Sequence, residues 1–168
     1  MQRKIIIYCF MFLLLNGCCG QSKEKAFIAK YELDDFFQFN GVSLFLRGLD
    51  KQGNFIVVGY TKLNNVNPEK YVSYGIFLDA QNQIIKTDWV IQNNNDYANI
   101  DTLLLQQIAQ SFMKYEIPRL DVDVEGNVFV YMKDVETLAL ARFEKDSEFL
   151  KKYIDEWVNI KGNWYKPK

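Results

Sequence analysis

The chain has 168 residues, 49% of them hydrophobic and 15% aromatic, with 20 basic against 21 acidic side chains and a formal net charge of -1. It contains no histidine, which removes the usual general base, the usual member of a nucleophilic triad and the commonest metal ligand. So mild a charge, with no basic cluster, gives no footing for nucleic acid, and the abundance of Tyr and Phe favours pleated sheet.

In chain order, the first element is the opening "MQRKIIIYCFMFLLLNGCCGQ". Arg3 and Lys4 form a short positive start, and the run from Ile5 to Leu15 is apolar. That run is shorter than the roughly 20 residues needed to span a bilayer. A positive start, a short apolar core and small residues at a cut site are the parts of an export signal. The ending Leu15-Asn16-Gly17-Cys18 resembles the lipobox of bacterial lipoproteins. The resemblance implies cleavage after Gly17 and acylation of Cys18, with palmitate-type chains holding the protein to a membrane of the bacterial envelope, the outer rather than the inner. Residues 1–17 are then a signal peptide, 18–25 a lipid-anchored tether and 26–168 a single domain. The three cysteines are Cys9, Cys18 and Cys19. None falls in that domain, so its core and not a disulfide must hold it, although the compartment permits disulfides.

Three stretches share one pattern: "LDKQGN" from Leu49, "LDAQNQ" from Leu78 and "VDVEGN" from Val122. An aspartate stands second in each, Gly53, Asn82 or Gly126 follows three residues later, and a polar amide comes next. Aspartate at the start of a type I turn bonds backbone two residues on, and Gly or Asn then tolerates positive φ. β-type runs flank all three, "VSLFLRGL" and "FIVVGYT", "YVSYGIFL" and "IIKTDWV", "RLDV" and "VFVYMK". The pattern predicts three hairpins.

Two helices are expected. "NIDTLLLQQIAQSFMKYEIP" carries Leu105, Ile108, Ala109 and Phe112 on one face, with Asp101 as N-cap and Pro118 as stop. "DSEFLKKYIDEWVN" carries Phe149, Leu150, Tyr153, Ile154, Trp157 and Val158 as an apolar stripe, capped by Asp146 or Ser147. Between them "ETLALARFE" reads as a short strand, and Trp164 and Tyr165 near the end are expected to fold back on the core. The predicted fold class is α+β: an antiparallel sheet built from three hairpins, with two helices packed on one face.

Asp121 and Asp123 lie two apart on a predicted strand. A calcium loop counted from Asp121 needs a bidentate Glu at its twelfth position, where Met132 stands. The stretch therefore reads as a turn, with Asp121 a solvated acid. No metal site and no cofactor are expected, and no nucleophile or phosphate-binding motif occurs. The candidate partner-binding residues sit at two polar loops. "LNNVNPEKY" is bordered by Tyr60 and Tyr71, and "WVIQNNNDYAN" holds Trp89, Asn93, Asn94, Asn95 and Tyr97. Amides between aromatic faces suit a protein or glycan partner.

The first functional expectation is a non-catalytic, lipid-anchored envelope protein acting as a binding module. The second is an immunity protein neutralising a secreted bacterial toxin, on the analogy of size and location. The third is an enzyme working through Asp, Glu, Lys or Tyr, for which no constellation is visible.

Overall fold

The computed structural model describes residues 22–62, 71–89 and 101–168. The chain falls into two units, Met1–Asp34 and Asp35–Lys168. In the first, helix α1 (Lys23–Tyr31) starts at Ser22, whose hydroxyl accepts from the backbone N–H of Lys25 at 3.4 Å. Glu24 in the first turn and Lys30 in the last suit the helix dipole. Lys23 to Lys25, which fall within the expected tether, are therefore helical. The polar "SKEK" is a capped helix start whose apolar side, Phe27, Ile28 and Tyr31, lies further on.

The described residues of the second unit form nine strands: β1 (Val42–Leu49), β2 (Phe55–Lys62), β3 (Tyr71–Leu78), β4 (Ile84–Trp89), β5 (Arg119–Val122), β6 (Val128–Tyr131), β7 (Leu138–Arg142), β8 (Trp157–Lys161) and β9 (Trp164–Pro167). They form one sheet in the order β4-β3-β2-β1-β5-β6-β7-β9-β8, and every pairing is antiparallel. The α+β class holds, but the sheet is larger than three hairpins. Helix α2 (Thr102–Met113) lies between β4 and β5 in sequence, and the chain then returns to pair β5 with β1 in mid-sheet.

The three repeated turns form as their residues dictate. Asp50, Asp79 and Asp123 each accept, through Oδ1, from the backbone N–H two residues on, at 2.8, 2.8 and 2.9 Å. Gly53, Asn82 and Gly126 take φ of 86°, 59° and 87°. The polar amide in the pattern has a use as well. Asn54 and Asn127 donate from their side chains back to the other oxygen of the same aspartate, at 2.9 and 2.8 Å.

Helix α2 matches its pattern: Asp101 caps it by accepting from Leu104 N–H at 3.0 Å, and Leu105, Ile108, Ala109 and Phe112 are buried. It stops at Met113, before Pro118, and Glu116 turns the chain with φ 53°. The second expected helix is much shorter. Helix α3 covers only Glu148–Tyr153, capped by Ser147, and a 3-10 turn follows at Ile154–Glu156. Trp157 and Val158 begin strand β8, with Trp157 buried and Val158 exposed. Their apolar character fits either period; pairing with β9 selects the strand. Trp164, on β9, is buried as expected.

The two helices lie on opposite faces of the sheet, which corrects the single-face expectation. Leu44, Val57, Ile76, Leu120, Val130 and Leu140 share one face through the strand registers and are wholly buried. Thr87, paired with Ile76, is on that face, and Gln106 of α2 donates to its hydroxyl at 2.9 Å. The same layer includes Phe36, whose ring lies 5.2 Å from Tyr115 and 6.3 Å from Trp164. Helix α3 uses the other face. Its Phe149 ring is 5.5 Å from Phe129 and 5.8 Å from Phe143. Phe129 neighbours Val130 on β6, so its side chain points the opposite way. Phe143, Ala141 and Trp157 form a small second core beneath α3.

Candidate functional site: an open groove on the sheet

Helix α3 covers only the β6–β7 end of its face. Beside it lies an open groove of about 610 Å³ over strands β2, β1, β5 and β6. Two rungs of cross-strand neighbours run through the area. One is Tyr60–Ser43–Asp121–Phe129, and the next is Val58–Phe45–Arg119–Tyr131. Each rung arises because alternate residues of a strand share a face. The groove side reads Ser-x-Phe, Arg-x-Asp and Phe-x-Tyr, while the intervening Leu44, Leu120 and Val130 fill the core.

The polar centre is tightly bonded. Arg119 meets Asp121 in a two-pronged contact, Nε to Oδ1 at 2.9 Å and Nη2 to Oδ2 at 2.7 Å. Its third nitrogen, Nη1, donates to the Val135 carbonyl at 3.0 Å. The Ser43 hydroxyl donates to Asp121 from the adjacent strand. The guanidinium also lies over the Tyr131 ring, 4.5 Å from its centre, a favourable cation–π arrangement. The hydrogen bond to Asp121 raises the Arg119 pKa above its ordinary value. Burial raises that of the Tyr131 phenol, and the Asp121 charge adds to the effect. At neutral pH the centre is therefore a closed ion pair beside a neutral phenol. Both carboxylate oxygens are engaged by the guanidinium, so Asp121 is not the solvated acid expected. Ser43, its partner across the strands, lies 78 residues away in sequence.

Aromatic rings flank this centre. Tyr60 is 38% exposed and stacks on Phe45 at 5.7 Å, with planes 19° apart. Opposite it stand Phe129 and Phe149, with the exposed Val124 at the rim. Among the described residues no cluster of acidic or cysteine side chains is arranged to hold a metal ion.

Of the residues singled out by sequence, Tyr60 lines the groove. Tyr71 and Trp89 are strand-end positions, Tyr71 paired with Lys62 and Trp89 with Tyr74. Because β2, β3 and β4 alternate in direction, Lys62, Tyr71 and Trp89 share one end of the sheet, the end that carries Tyr60 and Ser43. Asn93, Asn94, Asn95 and Tyr97 lie outside the described residues, as does Cys18. Sequence reasoning missed Ser43, Arg119, Phe129 and Tyr131. The signal was the alternation itself: polar or aromatic residues opposite a wholly apolar partner face.

Replacing Asp121 tests this centre. Asp121→Asn keeps the shape but removes the charge facing Arg119. It should cost about 1–2 kcal/mol, held down by the partial exposure of the pair. Ser43→Ala should cost less. Urea unfolding of both variants gives the values, and an unchanged midpoint for Asp121→Asn would mean that the pair contributes nothing.

No family model matches the chain, no curated protein is similar to it, and no solved structure matches its fold.

Proposed function

We propose that this is a lipid-anchored protein of the bacterial envelope, held by acyl chains on Cys18, that binds a protein or glycan partner without acting chemically on it. The observation that carries the binding part is the groove. It is a sheet face that the described residues leave open beside α3, with aromatic rings at its sides and an ion pair at its floor. Clefts with apolar walls and a few convergent polar groups are the usual form of a binding site. Tyr and Arg are also the side chains that most often dominate binding energy. The Ser43–Asp121–Arg119 arrangement favours binding over catalysis, since the guanidinium fork already occupies the carboxylate that would have to act as base. The anchoring part rests on the Leu15-to-Cys18 ending after a short apolar run. A single acyl chain binds membranes only marginally, so stable anchoring needs the additional chains that the lipoprotein resemblance implies.

Two measurements test the proposal separately. A fatty-acid analogue should label the wild type and not Cys18→Ala, and equal label in both would remove the anchor. A photo-crosslinking residue placed at Tyr60 in the membrane-borne protein should give a specific adduct. The same residue at Leu49, exposed at the far end of β1, should give none. Adducts from both positions, or from neither, would remove the groove as the binding site.

A further inference from the structure

The groove lies over the middle of the sheet. Where the groove lies, Ser43, Tyr60, Asp121 and Phe129 each have paired neighbours on both sides, so an added peptide strand finds no open sheet edge there. What the groove offers is side chains. Its floor carries an ion pair that is already closed on itself: two guanidinium nitrogens on the carboxylate and the third on a carbonyl. An anion entering here gains no free opposite charge, and a cation meets only Asp123 at the edge, whose carboxylate is already taken up by the backbone N–H groups of Glu125 and Asn127 and by the Asn127 amide. An apolar helix would have to strip water from the half-buried pair without replacing it, which is costly.

An uncharged polar ligand with apolar faces meets none of these objections. From this we infer that the groove takes a neutral saccharide, an inference that rests on the binding reading above. A pyranose ring has an apolar C–H face, which suits the exposed ring of Tyr60 and the Phe129–Phe149 wall. Its hydroxyls both donate and accept. They match the acceptor side of the Ser43 hydroxyl, the phenol oxygens of Tyr60 and Tyr131 and the unused N–H protons of Arg119. Tyr60 is the main platform: it is exposed and braced from behind by Phe45, so little freedom is lost when a ring stacks on it. The volume of about 610 Å³ is in the ordinary range for a small-ligand site.

The test is an array of neutral and acidic oligosaccharides spanning the common hexose and N-acetylhexosamine linkages, probed with the full chain in detergent micelles. Hits are then titrated calorimetrically. Neutral oligosaccharides should be captured in preference to uronic-acid ones. Tyr60→Ala should weaken the best hit about tenfold, the scale of one lost aromatic contact. Tyr60→Phe, which keeps the ring, should weaken it less than about threefold. Both substitutions should leave the melting temperature close to wild type. A blank array, preference for acidic sugars, or equal capture by Tyr60→Ala would overturn the inference. A blank array together with a protein adduct from the Tyr60 crosslinker would overturn the saccharide and leave the binding reading standing. If array and crosslinker are both blank, both fall.

Discussion

Gly59→Ala should be among the most damaging single-atom additions to this protein. Gly59, on β2, faces Tyr74, on β3, and the tyrosine ring lies flat over the space where a side chain would begin. An added Cβ would stand 2.1 Å from Tyr74 Cζ and 2.4 Å from its hydroxyl. Tyr74 is wholly buried, so the ring has no open direction in which to move. The expected loss is about 3 kcal/mol, at the upper end for overpacking a core. Tyr74→Leu in the same chain should recover part of it, so the two changes should be clearly non-additive in urea unfolding. Additive losses would show that the close approach is not the cause. The tyrosine hydroxyl makes a second contribution. It is buried without a hydrogen-bond partner among the described residues, and burial pushes its pKa well above that of an ordinary phenol. The sign follows from linkage: the native state holds the neutral phenol, whereas the unfolded phenol ionises near its ordinary value. The associated stability is complete below about pH 10 and falls away as pH rises beyond it. Tyr74→Phe should therefore raise stability by about 1 kcal/mol at neutral pH and flatten its alkaline decline.

Asn127→Ala is the second large effect. Asn127 is fully buried at the β5–β6 turn. Its amide donates to Asp123 at 2.8 Å and to Glu125 at 3.2 Å, while its carbonyl accepts from the backbone N–H of Glu144 at 3.0 Å. One side chain thus closes its own turn and ties it to the chain leaving β7. Alanine removes all of these bonds and takes from the backbone N–H of Glu144 its acceptor, at about 2–3 kcal/mol. The first turn supplies the control. Asn54 has the same place after Asp50 and the same backward bond at 2.9 Å, but it is only half-buried. Asn54→Ala should cost about 1 kcal/mol. Equal losses at the two positions would mean that the bond to Glu144 adds nothing.

The contrast between these two asparagines also marks how far the sequence reaches. Both turns are legible from residues within five positions of one another, because an aspartate, a residue tolerant of positive φ and an amide close their hydrogen bonds locally. The Asp101 cap, the apolar stripe of α2 and the Ser147 cap were readable for the same reason: each is settled within one or two helical turns. Trp157 and Val158 were not, since their spacing suits a helix as well as a strand, and only the partner strand β9 decides between them. Tyr60 was visible as an aromatic beside a polar loop, but nothing in its own stretch told that Ser43, Asp121 and Phe129 would stand in line with it. By itself the sequence determined the turns, the caps, the α+β class and the residues available for chemistry, because those follow from short-range bonding and composition. The tertiary structure alone decided the nine-strand order, the placing of α2 and α3 on opposite faces and the groove that α3 leaves open. These depend on which distant strands pair and in what register, and a shift of one residue would turn Arg119 and Asp121 into the core and Leu120 out to water.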